Sequence, residues 1–429
     1  VTSAPARPRT SGAGGGRTWR AAAGAWLGIG TAPGALVLGA QIGGRHGGAL
    51  PVPVLVVGGA VMAALLAAQG RLGLREPAGE NAGMAELAPR YLPPVAERAF
   101  TALLAVAMAG WFGFNVGLGG AAAAALGGVP DAVGVAALTV PTVAVLVAGG
   151  GRWNAVAVVT TLTAVALIGI VAVKLAPPAS PVSLARDGPP GLLAADLAGY
   201  IGYVSVFAVR APDFTVGLRG RGDLAACVAL LVVPALGASV VGAGVAAASG
   251  STDVVAVLAG PDGLPAANLF VAASVIAPTL AAVHSGALAV TRFLPHPPDP
   301  APARRVEGRR VVAVLAIAVP GAVLAALRVD RMLLEWLTVL AAALPALVPP
   351  MAAEFARRRG RAGRPVATWI WAPGAAAAVA LTLAGHAAAA PVGLVVSAAA
   401  TAVHAWFHRA SRGRGHDAMS TSGWPEIRP

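Results

Sequence analysis

Long apolar runs separated by short charged loops follow one another from end to end of the chain. Stretches at 21–44, 46–70 and 99–130 carry no formal charge. Each is long enough to cross a hydrocarbon core of about 30 Å as a helix rising about 1.5 Å per residue. Seven further candidates lie at 132–151, 153–173, 188–209, 224–252, 263–291, 311–327 and 332–353. The uncharged interval 365–408 has room for two more, divided near 386–391. The pattern predicts about twelve transmembrane helices.

Composition agrees. Of 429 residues, 57% are apolar and 11% charged, with a mean hydropathy of +0.75, far from the balance of a soluble domain. Recurrence of the apolar runs excludes a single-span receptor and a soluble protein behind a signal peptide. The single cysteine, Cys227, excludes a disulfide framework, a multi-cysteine zinc site and an iron–sulfur cluster. The formal charge of +13 sits in loops and tails, where the positive-inside rule accounts for it without nucleic acid.

That rule also orients the chain. With the N-terminus in the cytoplasm, Arg7, Arg9, Arg17 and Arg20 lie inside, as do Arg71, Arg75, Arg90 and Arg98, then Arg292, Arg304, Arg305, Arg309 and Arg310. Arg357, Arg358, Arg359, Arg361 and Arg364 join them, and opposite loops offer only Arg45, Lys174, Arg186, Arg328 and Arg331. The expectation is a multi-pass protein of the cytoplasmic (inner) membrane with both termini cytoplasmic. It divides into a disordered basic tail (1–20), a first five-helix unit (21–176), a second (188–355), two additional helices (365–408) and a disordered C-terminal tail (409–429).

Substrate sites of many secondary transporters form where corresponding helices of two inverted halves are interrupted near the bilayer midplane. The first span holds Gly28, Gly30, Thr31, Pro33 and Gly34 within seven residues, which predicts a break. The sixth contains Gly199 and Gly202, with Tyr200 and Tyr203, two of only three tyrosines, beside the second expected break. A spacing of five spans between two broken helices is what a five-plus-five inverted repeat requires. Asp196 reads as the start of this helix or as a membrane-embedded carboxylate, and the first is the expectation.

Trp26, Trp153, Trp336, Trp369, Trp371 and Trp406 lie near span ends, as interfacial tryptophans do. Trp111 lies in mid-span, with Asn115 one turn on, on the same face. An indole and an amide so spaced can stack on a flat ring and hydrogen-bond its edge, or pack against neighbouring helices. His284 and Ser285 fall deep in the eighth span, where a histidine is either functional or bonded to a neighbouring helix. Arg210, Pro212 and Asp213 are expected at a membrane exit, with Asp213 paired to loop arginines. The chain holds no P-loop, HExxH or GxSxG pattern, so neither an enzyme nor an ATP-driven pump is expected.

Four segments carry a family resemblance: WLGIGTAPG (26–34), GWFGFNVGLGG (110–120), PDFT (212–215) and LVPPMAAEF (347–355). Through them the chain resembles the nucleobase–cation symporter family of cytosine, purine, allantoin and hydantoin permeases. The resemblance implies an all-α, leucine-transporter-like fold with a five-plus-five inverted repeat and two C-terminal helices. It implies alternating access for a flat heterocycle, driven by a proton or sodium gradient. The candidate substrate residues are Trp111, Asn115 and Phe114, Gly202, Tyr203 and Val204, Thr31 and Pro33, and His284 and Ser285, of which the resemblance implies Trp111, Asn115, Gly202 and the Val204 position. Val204 stands where the family has a second aromatic wall, a role left to Tyr203 or Tyr200. Gly30, Pro33, Thr279, His284 and Ser285 are the cation-coupling candidates. The window 281–285, AAVHS, is poor in the hydroxyls that sodium wants, which favours a proton carried by His284. The expected partners are a small-molecule substrate and the lipid bilayer. No nucleic acid, obligatory protein partner, resident metal or cofactor beyond a coupling Na+ or H+ is called for, and the alternative is a facilitator or membrane sensor without ion coupling.

Overall fold

The computed structural model describes residues 16–76, 79–148, 153–174, 182–184, 190–261, 263–295, 303–358 and 363–420. Eleven helical stretches are long and apolar enough to cross a membrane, and a shorter apolar helix, Thr368–Leu383, stands between the last two. In chain order these twelve are spans 1 to 12: Trp19–Arg45, Val52–Gly73, Pro94–Gly127, Asp131–Ala148, Val156–Val173, Pro190–Val209, Arg221–Ser249, Pro265–Thr291, Glu307–Ala326, Val329–Arg358, Thr368–Leu383 and Ala389–Phe407. Val56, Val140, Leu162 and Val395 are 64–67% exposed, the lipid-facing surface of a multi-pass membrane protein.

Packing repeats itself with a shift of five. Span 1 packs on span 7 as span 6 packs on span 2, and span 1 meets span 5 as span 6 meets span 10. Spans 3 and 8, corresponding members of the two halves, pack on each other. Spans 11 and 12 form a hairpin against span 10.

Small residues set the closest approaches. A methyl on Gly39 would collide with the Ser239 carbonyl, one on Gly242 with the Leu36 carbonyl, and one on Gly43 would come within 2.7 Å of Ala243 Cβ. Spans 1 and 7 therefore touch backbone to backbone, the usual consequence of a small-xxx-small face in lipid.

The expected first break is present. Span 1 consists of two helices, Trp19–Gly30 and Pro33–Arg45, separated by Thr31 and Ala32, with Pro33 at the first position of the second. The sixth span breaks elsewhere. Its helix is continuous through Gly199 and Gly202 to Val209 and ends at Arg210, before a short helix Ala211–Thr215. The glycines serve packing: a methyl on Gly199 would lie 2.9 Å from Leu334 Cδ2, and one on Gly202 would strike the Leu337 carbonyl of span 10. Span 8 is also interrupted, at Val275 between Asn268–Ser274 and Ile276–Thr291.

Other expectations need correction. Asp196 lies inside span 6, past its start at Pro190, and is completely buried. Trp26 is fully buried with its ring edge-on to Phe207, and Trp336 packs its ring on the backbone of Gly110; neither is interfacial. Trp369 and Trp406, 53% and 62% exposed, fit the aromatic belt. Both expected tails are partly helical or anchored. The Trp19 amide donates to Asp223 Oδ1 at 3.1 Å, and the last helix runs to Ser420. Residues 1–15 and 421–429 lie outside the described residues.

Candidate functional site

A cavity of about 130 Å³ opens beside the break in span 1. Ile29, Ala32 and Gly34 form the wall at the break; Met108, Trp111 and Asn115 of span 3 face them. Those three recur at helical spacing, so one stripe of span 3 meets the space. The glycines between them serve the other faces. A methyl on Gly113 would come within 2.8 Å of the Gly321 carbonyl, and one on Gly117 within 2.8 Å of Asp330 Oδ1. The motif thus seats spans 9 and 10 closely while presenting its indole and amide inward.

Span 6 supplies Tyr203, Val206, Phe207 and Arg210, again one helical face, and Phe214 follows from the short helix. Tyr203 stands edge-on to Trp111, with ring centroids 6.0 Å apart and planes at 78°, and Phe114 braces the indole from behind at 5.6 Å. The Tyr203 hydroxyl donates to the Ile29 carbonyl at 2.6 Å. That bond satisfies an acceptor near the end of the first half-helix. Phe207 and Phe214 stack at 4.4 Å, and the Arg210 guanidinium lies 5.6 Å over Phe214 while its Nε donates to Asp213 Oδ2 at 3.0 Å. Asp213 therefore pairs with Arg210 itself, and its other oxygen accepts the Met84 amide at 2.6 Å.

Span 8 closes the space with Pro278, Ala281, Ala282 and Ser285. Asn115 Nδ2 donates to the Trp111 carbonyl of its own helix at 2.8 Å, which leaves Oδ1 as the acceptor the amide can offer. The wall is otherwise mainly apolar, a surface suited to a small flat molecule with a few polar edge groups.

Of the expected substrate residues, Trp111, Asn115, Tyr203 and Ser285 line the cavity. Phe114 supports Trp111 without lining it, and Gly202 and Val204 face other parts of the core. Tyr203 thus occupies the place expected of a second aromatic, whereas Tyr200 is packed over Gly58. Thr31 and Pro33 form the break without lining the space; the Thr31 hydroxyl is taken up by the Leu27 carbonyl at 2.9 Å. Gly30 lies against Leu231 of span 7, and the Thr279 hydroxyl donates to the Val275 carbonyl at 2.5 Å. His284 is exposed and off the cavity wall, contrary to the expectation of deep burial, because it sits one residue around the helix from the buried Val283 and Ser285. Phe207, Arg210 and Phe214 are additions; continuing the Tyr203 face by three, four and seven residues would have found Val206, Phe207 and Arg210.

The helix order, the shift-of-five packing and the break in span 1 define a leucine-transporter-like fold with two extra C-terminal helices. No family model and no curated protein matches the sequence. Among solved structures the chain is similar to Mhp1 in an inward-facing conformation, at 16% identity and a TM-score of 0.61 over 95% of this chain and 96% of that one. It is also similar to Mhp1, a nucleobase-cation-symport-1 family transporter, in a closed conformation with bromovinylhydantoin bound, at 18% identity and a TM-score of 0.63 over 91% and 92%. A manganese transporter mutant from Eremococcus coleocola follows at 12% identity and a TM-score of 0.51 over 92% and 88%. At such identities the likeness establishes the fold.

Proposed function

We propose that the protein is a secondary active transporter for a small planar nitrogenous heterocycle such as cytosine, a purine or a hydantoin. The observation that carries this reading is Trp111, its indole on the wall of a cavity at a broken helix, with Tyr203 edge-on beside it and Asn115 one turn away. An indole face takes any flat ring by stacking, and the Asn115 carbonyl oxygen and Ser285 hydroxyl can read polar edges. The solved structure with bromovinylhydantoin bound shares the fold, which supports a flat ring as cargo.

A proton is the better candidate for the coupling ion. Near the span 8 interruption Ala281 and Ala282 offer no side-chain oxygen to a hard cation. The same poverty of hydroxyls supports a second reading, a facilitator or sensor that has lost ion coupling.

Uptake of labelled cytosine, adenine, uracil and hydantoin into cells lacking their own permeases, with pH and sodium gradients imposed separately, tests both. Accumulation above equilibrium that depends on Trp111 and on one gradient is the expected result. Equilibration without accumulation favours the facilitator, and no uptake by a correctly inserted protein overturns the heterocycle as cargo.

A further inference from the structure

A second polar cluster lies at the other end of spans 1 and 6. Asp196 is fourteen residues from Arg210 along span 6, about 21 Å at 1.5 Å per residue. Its Oδ2 is 2.6 Å from His46 Nε2, and the two side chains are 0% and 5% exposed. The Arg45 guanidinium approaches Asp196 Oδ1 at 3.6 Å, too far for a hydrogen bond, and this oxygen is buried without a hydrogen-bond partner. Arg45 also reaches Glu335 of span 10 at 4.0 Å.

A carboxylate buried inside a span is costly unless paired, and an apolar pair of the same size would hold the helices as well. Packing therefore does not explain the pair. Chemistry offers a reason: an imidazole and a carboxylate in contact can share a proton.

The surroundings confine that exchange. Besides Arg45 and Glu335, the titratable group nearest along span 6 is Tyr200, one turn closer to the cavity, whose buried hydroxyl has no hydrogen-bond partner. Span 2 carries no titratable side chain between Val52 and Gly70, and those of span 7 (Arg221, Asp223 and Cys227) stand at its opposite end. Arg331, at the start of span 10, is engaged by Asp253 at 3.1 Å. Span 12 has no titratable side chain before His404.

The cluster joins spans that alternating access has to separate. Gln41, one turn before Arg45, donates to the Arg331 carbonyl and accepts from the Leu334 amide, both at 3.1 Å, tying the second half of span 1 to span 10. The pair is buried in the conformation these contacts hold.

We propose that the His46–Asp196 pair is the proton-binding site that couples transport to a pH gradient. The inference rests on the transporter reading above and moves the proton from exposed His284 to this insulated pair. A hydronium ion on one side gives its proton to an Asp196 oxygen, forming an O–H bond and leaving water. On the other side that bond breaks and water takes the proton. No electrons are transferred.

The test uses the full chain in liposomes with Asp196→Asn and His46→Gln. One coupled proton supports up to about tenfold accumulation per pH unit. Wild type is expected to reach that order with a ring that shows Trp111-dependent exchange. In Asp196→Asn accumulation falls to unity while exchange across the membrane persists. Concentrative uptake retained by Asp196→Asn overturns the proposal.

Infrared titration reads the pair without any solute. A protonated-carboxyl band that grows on acidification from about pH 8 to pH 4, is missing in Asp196→Asn and shifts in His46→Gln is the expected signature. Its absence from wild type overturns the proposal even if Asp196→Asn fails to insert. Absence of exchange for every ring, with the band present, overturns the heterocycle reading and the coupling role while leaving proton binding by the pair established.

Discussion

The Tyr203 hydroxyl and the Ile29 carbonyl are joined at 2.6 Å across the place where span 1 loses its helix. A side chain of the second half thus completes the backbone of the first, and the same ring stands beside Trp111 in the cavity. Integrity of the break and shape of the site depend on one residue.

Replacing Tyr203 by Phe keeps the ring and removes the donor. The Ile29 carbonyl keeps its bond from the Ala32 amide at 3.2 Å, so one net hydrogen bond is lost, about 0.5–1.5 kcal/mol. The expected outcome is a thermal unfolding midpoint lowered modestly in detergent, with ring binding reduced less than by Tyr203→Ala. An unchanged midpoint would show that water replaces the phenol at no cost.

Trp111→Ala removes the stacking face. If base stacking on aromatic side chains is the guide, about 1–3 kcal/mol is lost, a fall in affinity of roughly 5- to 150-fold. Asn115→Leu is expected to change the order of preference within a ring panel more than it changes the amount of protein in the membrane. Competition binding on the purified variants checks both.

Gly39→Ala puts a methyl into the Ser239 carbonyl, whereas Gly24 has nothing within 4 Å of the same added atom. Overpacking of this kind costs about 1–3 kcal/mol. Size-exclusion profiles should show Gly39→Ala depleted or aggregated and Gly24→Ala indistinguishable from wild type.

Tyr91 lies outside the spans, on the short helix Met84–Tyr91. Burial, then its hydrogen bond to Glu80 at 2.5 Å, pushes its phenol well above the ordinary value near 10. Above about pH 10 the unfolded chain releases this proton and the folded chain keeps it, so stability declines as pH rises from there. Tyr91→Phe should flatten that alkaline decline in a pH series of unfolding midpoints.

Much of this architecture is legible in the sequence because charge spacing marks spans directly. The break in span 1 is legible for a local reason: Pro33 removes a donor among weak helix formers. The break in span 6 is not, since Gly199 and Gly202 look like breakers but are contact points for span 10, a tertiary fact. Misplacing it hid Phe207, Arg210 and Phe214. Trp111 and Asn115 are legible from position along one helix. The His46–Asp196 pair is not, because its members are 150 positions apart and neither has a local signature. Trp26 and Trp336 show the same limit, since nearness to a span end does not say which way a ring points.

The backbone-level seam between spans 1 and 7 has a mechanical consequence. Where Gly39 and Gly43 lie against Ser239 and Ala243, the glycines bring no side chain to absorb a sliding motion, and the Ser239 hydroxyl is bonded to the Ala35 carbonyl at 3.1 Å. These two helices have to travel as a single lever. The give in the molecule then belongs to contacts made through larger side chains, such as Trp336 of span 10 against Gly110 of span 3, which can re-seat.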